Sequence, residues 1–128
     1  MQVIGEALFQ EQLAALAGPK KETGHYLPVC IVLRAEPWGP RGEHTVLCTI
    51  AGRPVGYLDD PSARDPDLRR RMDEALLKGR PLAFDGLIVG GWSRMGELEE
   101  AAYEVRFAQE FGHSGLEADL DDLLRLEY

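Results

Sequence analysis

Short apolar runs broken at close intervals by glycine and proline constrain this chain more than any other feature of its sequence. Residues 36–58 (EPWGPRGEHTVLCTIAGRPVGYL) open on a Pro/Gly-rich turn, pass through an alternating apolar stretch, turn at Ala51-Gly52 and run on to Leu58. Residues 87–107 (LIVGGWSRMGELEEAAYEVRF) begin as an apolar run that breaks at Gly90-Gly91-Trp92. They then make a polar excursion and finish on strict alternation, with Tyr103, Val105 and Phe107 on one face and Glu104 and Arg106 on the other. Turn residues at such spacing between alternating segments suit a small β-barrel.

The intervening segments supply helices and further strands. Residues 2–4 read as a short strand ended by Gly5. Phe9, Leu13 and Leu16 recur at i, i+4, i+7 on one helical face, and Gly18-Pro19 stops that helix. Residues 27–35 are nearly continuous, apolar and β-branched, as a buried strand requires. Trp38-Gly39-Pro40-Arg41-Gly42 predicts a loop. Val46, Cys48 and Ile50 share one face of the next strand, and Val55 and Tyr57 share a face of its hairpin partner. Asp65-Pro66 predicts an N-cap followed by proline at the first helical position; Leu68, Met72, Ala75 and Leu76 stripe that helix, and Gly79 and Pro81 end it. Ser114 and Glu117 have capping-box spacing, and Leu116, Leu120, Leu123 and Leu124 line one face of a terminal helix opposite Asp119, Asp121 and Asp122. The expected fold is mainly β with helices (α+β): a small OB-like or SH3-like, partly open β-barrel of five or six strands, two helices and a short acidic C-terminal helix. Residues 1–112 form the barrel domain, and residues 113–128 an acidic amphipathic helix packed on it or extending it.

At 128 residues, 45% hydrophobic and 28% charged, the chain is one globular domain. No run of 18 apolar residues exists to span a membrane, and the opening MQVIGEALFQ lacks a secretory pattern. Cys30 and Cys48 sit in apolar runs without CxxC spacing, as buried thiols of a cytoplasmic protein would. The net charge is −8, and residues 97–128, with ten acids against two bases, hold all of it. Ser62, Ser93 and Ser114 lie in no nucleophile elbow, His25, His44 and His113 in no metal-ligand spacing, and the glycines of residues 86–91 in no nucleotide-binding motif. Neither enzyme, cofactor nor metal is expected. The adjacent carboxylates Asp59-Asp60 and Asp121-Asp122 diverge and read as solvated pairs.

Val3-Ile4-Gly5-Glu6, the strand–turn–strand ending Val55-Gly56-Tyr57-Leu58 and the alternating finish together resemble the HIRAN domain, over about residues 2–108. This is a small β-rich module attached to DNA-repair helicases and also found alone in bacteria. The resemblance implies binding of single-stranded DNA, in characterised members at a free 3′ end. The family's Arg-Tyr-Tyr-like gripping triplet is matched here by Ala7, Leu8 and Phe9. Its Asp-Asn-Pro-Tyr-Asp loop, whose second aspartate accepts from the sugar hydroxyl, is matched by Trp38-Gly39-Pro40-Arg41-Gly42, and the Asn-Ala-Val after it by His44-Thr45-Val46. Tyr57 falls where an aromatic or histidine contributes to the pocket, and Asp60 replaces a lysine that would meet phosphate. Each charge-assisted contact is worth roughly 1.5–3 kcal/mol, so these departures imply weaker, less end-specific binding.

Phe9, Trp38, Arg41 and Tyr57 are the expected contacts. Arg69 and Arg70 assist from the second helix, whose residues 64–80 carry six basic and four acidic side chains. Trp38 and Trp92 are the aromatics placed to be accessible; one base stacked on such a ring is worth roughly 1–3 kcal/mol. A second reading is a protein-interaction or regulatory module that has left DNA, docking on a partner or a second copy through Leu116, Leu120, Leu123 and Leu124.

Overall fold

The computed structural model describes residues 1–94 and 99–108. In chain order the strands are β1 (Val3–Ile4), β2 (His25–Ala35), β3 (Val46–Ile50), β4 (Arg53–Leu58), β5 (Leu82–Gly90), β6 (Ser93–Arg94), β7 (Glu99–Glu100) and β8 (Tyr103–Phe107). A 3-10 turn at Glu6–Phe9 leads into helix α1 (Gln10–Ala17), and α2 (Asp60–Ala63) and α3 (Pro66–Leu77) follow β4. Six strands form one antiparallel sheet in the order β1-β4-β3-β2-β5-β8, while β6 and β7 make a separate ribbon. The sheet curls until its two edge strands meet, giving the nearly closed α+β barrel expected from the sequence. The expected terminal helix and its leucine stripe lie outside the described residues. Among the described residues no helix is long and apolar enough to cross a membrane.

Strand β1 has only two residues and cannot zip the barrel shut, so side chains from the following 3-10 turn and the first residue of α1 do it. Gln10 Oε1 accepts from the Tyr103 N–H at 2.9 Å and Gln10 Nε2 donates to the Tyr103 carbonyl at 3.0 Å. Glu6 Oε2 accepts from the Val105 N–H at 3.3 Å. Three backbone groups on the outward edge of β8 are thereby satisfied. The Tyr103 hydroxyl donates to the Gly18 carbonyl at 2.6 Å and ties the end of α1 to the same strand.

The interior collects the residues that the periodicities predict: Leu13 from α1, Val46, Cys48 and Ile50 from β3, Leu68, Met72 and Ala75 from α3, and Tyr103, Val105 and Phe107 from β8. The expectation for β4 fails. Register runs Cys48↔Gly56 and then Thr49↔Pro54, so Val55 is an extra residue in a β-bulge. A bulge breaks the two-residue alternation: Val55 turns into the core while Tyr57, opposite Leu47, points outward. Gly56 lies between them because a Cβ there would stand 2.5 Å from Val3 Cγ1. Leu76 also departs from its predicted stripe, being 78% exposed where Leu68 and Met72 are buried. Asp59 is no solvated bystander: its carboxylate caps the unforeseen helix α2 through the Ser62 N–H and accepts from the Gln2 N–H at 2.7 Å.

Replacing Gln10 by leucine keeps the bulk but leaves both Tyr103 backbone groups unpaired. We expect a loss of about 1–3 kcal/mol in urea unfolding, against near-neutrality for Gln12→Leu, whose partner Arg53 is on the surface. Equal midpoints for the two variants would contradict closure by Gln10.

Candidate nucleic-acid interface

Cross-strand pairs share a face of a sheet, and the register assembles one continuous outward row. Ile4 pairs with Tyr57, Tyr57 with Leu47, and Leu47 with Arg34. Phe9, at the end of the 3-10 turn, packs its ring edge-on against Tyr57 with centroids 5.7 Å apart and planes at 62°. Such edge-to-face pairs hold each other's orientation, so two half-buried rings stand fixed on the outside of the barrel. Leu8, immediately before Phe9, is among the most exposed apolar residues described.

Beside this row lies the β2–β3 loop, which is built from three consecutive tight turns. Gly39 N–H donates to the Glu36 carbonyl, Gly42 N–H to Gly39, and Thr45 N–H to Gly42, at 2.8–3.1 Å. The buried Thr45 hydroxyl accepts from the Arg41 N–H at 3.0 Å and donates to the Gly42 carbonyl at 2.7 Å. Gly39 permits the packing, since a Cβ would fall 2.5 Å from Thr45 Cγ2. On this stiff frame Trp38 is 78% exposed. Arg41 Nη2 and Nε both reach Asp60 Oδ1, at 3.1 and 3.2 Å, which ties the loop to the residues just beyond β4.

The expected site residues therefore divide. Phe9 and Tyr57 come together, and the loop holding Trp38 and Arg41 is fastened beside the end of β4. Among the described residues no ring contact joins Trp38 to the Phe9–Tyr57 pair. Arg69 and Arg70 sit apart on α3. Arg70 is committed to its own helix, bound by Asp67 and by Glu74 at 3.1 Å; the Asp67 carboxylate is held below its ordinary range by that contact and Arg70 is pushed further up. Arg71 stacks over Phe84, 5.7 Å from the ring centroid. Arg69 differs: its Nη1 is buried with no hydrogen-bond partner. A guanidinium nitrogen in that state gains from any anionic oxygen that reaches it. Trp92 is half-buried, its carbonyl accepting from the Ala101 N–H.

Leu8, Asp60 and the Ile4–Leu47–Arg34 flank were not singled out as site residues from the sequence. Leu8 is legible from its place next to Phe9; the others depend on strand register or on a contact across 19 residues. Among the described residues no group of histidine, cysteine and carboxylate side chains has the geometry of a metal site. No protein-family model, curated protein or solved structure matches this chain.

Asp59 gives the region a pH signature. Partial burial pushes its carboxyl up, but hydrogen bonds from the Gln2 and Ser62 N–H groups and the nearby amino terminus outweigh this and hold it below the ordinary aspartate value of 3.8. A depressed folded value means that its stabilisation is complete above that ordinary value and is lost as pH falls through the depressed one. Parent protein should therefore lose more stability than Asp59→Asn between about pH 5 and about pH 2.5, as read from urea midpoints. Parallel losses would remove Asp59 from the account.

Proposed function

We propose that this chain is a non-enzymatic nucleic-acid-binding module of HIRAN type that takes single-stranded DNA with weakened end specificity. The observation that carries this reading is Trp38, exposed on a hydrogen-bonded loop whose next basic residue, Arg41, is fastened to Asp60 just beyond β4, the strand that carries Tyr57 of the outward Phe9–Tyr57 pair. Rigid aromatic faces next to a guanidinium are what base stacking with phosphate contact requires. A cytoplasmic location and a role in DNA repair belong to the same reading. A protein-interaction module is the second reading, favoured by Leu76 and Leu77, 78% and 88% exposed at the end of α3.

Affinity is limited by charge. Asp60 occupies the guanidinium that would meet phosphate, and an exposed ion pair of this kind is worth only about 0–1 kcal/mol, so phosphate competes for it without great cost. Gly42 stands where the family's sugar-reading carboxylate would be, so a 3′-hydroxyl and a 3′-phosphate bind alike. One or two phosphate contacts give a loss of about 3–7-fold in affinity between 50 and 200 mM salt.

Fluorescence anisotropy with labelled single-stranded oligonucleotides tests this. Trp38→Ala should weaken binding by about 5-fold or more, the loss of one stacked base. Asp60→Asn should tighten it severalfold by releasing Arg41. Binding that is indifferent to salt and to both substitutions would rule the reading out.

A further inference from the structure

We propose that the cavity between the end of β2 and the last turn of α3 binds a small apolar carboxylate, at a site separate from the Trp38 loop and independent of nucleic-acid binding. Its volume is about 450 Å³, within the range of about 300–1,000 Å³ in which pre-formed ligand pockets fall. The walls are mostly apolar: Leu33, Leu82 and Met72 are buried and Val32 is half-buried. Leu76 forms the lip, 78% exposed. That exposure, which the fold alone leaves unexplained, is relieved when an apolar body enters beside it. None of Phe9, Trp38, Arg41 and Tyr57 lines the cavity.

The polar features of the wall specify the head group. The Glu36 N–H donates to the Thr45 carbonyl at 2.8 Å, and hydrogen-bonded pairs alternate along an antiparallel ladder. Val32, Arg34 and Glu36 therefore bond towards β3, while Leu33 and Ala35 bond towards β5. Leu33 has Leu82 opposite it, but Ala35 comes after the last pair, where continued register would place Arg80. The Arg80 N–H instead donates to the Ala75 carbonyl at 2.9 Å, and no backbone group among the described residues pairs with Ala35 on that side. Ala35 and Arg80 both line the cavity, so the Ala35 N–H opens on it as a donor at the end of an interrupted ladder. Arg34 stands beside it; its bond to Glu36 runs through Nη2 at 2.7 Å, and an exposed pair of this kind is readily shared with a second anion. The charged side chains in the wall are Arg34 and Arg80 against Asp73. A backbone donor with a guanidinium beside it suits a carboxylate, and the apolar walls select one that carries a hydrocarbon body.

Octanoate and 1-octanol share the body and differ in the head, so the two are titrated separately into the isotope-labelled full chain and followed by backbone amide NMR. Octanoate should give saturable shifts at Ala35, Leu76 and Leu82, with the Ala35 amide moving downfield; octanol should leave that amide in place. Leu76→Asp should weaken octanoate binding by about tenfold or more. Leu77→Asp, at the exposed neighbour that does not line the cavity, should change it by less than about twofold. Arg34→Gln should weaken octanoate by about tenfold and leave octanol unchanged. The absence of saturable shifts, or equal losses in the two leucine variants, overturns the proposal. Octanol that moves the Ala35 amide as octanoate does, or octanoate binding indifferent to Arg34→Gln, overturns it equally, since the carboxylate would then not be what the site reads.

Discussion

The amide of Gln10, paired with both backbone groups of Tyr103, is the contact on which the rest of the molecule depends. A barrel whose first strand is two residues long has a gap between its edge strands, and an unsatisfied strand edge beside it would be both costly and adhesive. Glu6 fills that gap from the 3-10 turn and Gln10 from the first residue of α1. The same turn carries Phe9, so closing the barrel also fixes the ring that packs against Tyr57. Stability and surface chemistry are coupled here by five residues of chain: a loosened Gln10 would free Phe9 from its place beside β4.

Charge compensation governs what the surface can attract. Arg34 is bound by Glu36, Arg41 by Asp60 and Arg70 by Asp67 and Glu74. Several of the basic groups that a sequence count offers to phosphate are therefore already paired within the described body. What is left to recognition is mainly aromatic, presented by the loop of tight turns and the outward row of β4. This fits a binder whose contacts are stacking first and electrostatic second. On the proposed function, Asp60 is the residue whose removal frees a guanidinium for an anion.

Much of the architecture was legible because its signals are local. Alternation from Tyr103 to Phe107, the Val46–Cys48–Ile50 face and the Asp65-Pro66 helix start each require only a few neighbouring residues to be read, and each is met. The misreadings share a different cause. Val55 and Tyr57 were assigned to one face because the period of a strand is two, but the bulge that separates them is set by pairing with β3. Asp59 was read as half of a solvated pair because nothing nearby in sequence names Gln2 as its donor. Arg41 was counted as available since Asp60 is 19 residues away. Arg70 is the opposite case: Asp67 and Glu74 lie at i−3 and i+4, so its commitment to its own helix was readable from spacing alone. Gln10 has no sequence signal for its role, because any polar residue in a helix satisfies the local pattern.

The most direct test of the account is where a ligand touches the barrel. Titrating isotope-labelled protein with a short single-stranded oligonucleotide, and following backbone amide shifts by NMR, locates that contact without any substitution. The account predicts salt-sensitive shifts confined to the Trp38–Arg41 loop, the Phe9 turn and Tyr57. Shifts centred on Leu76, Arg80 and β2, or none at all at millimolar oligonucleotide, would contradict it.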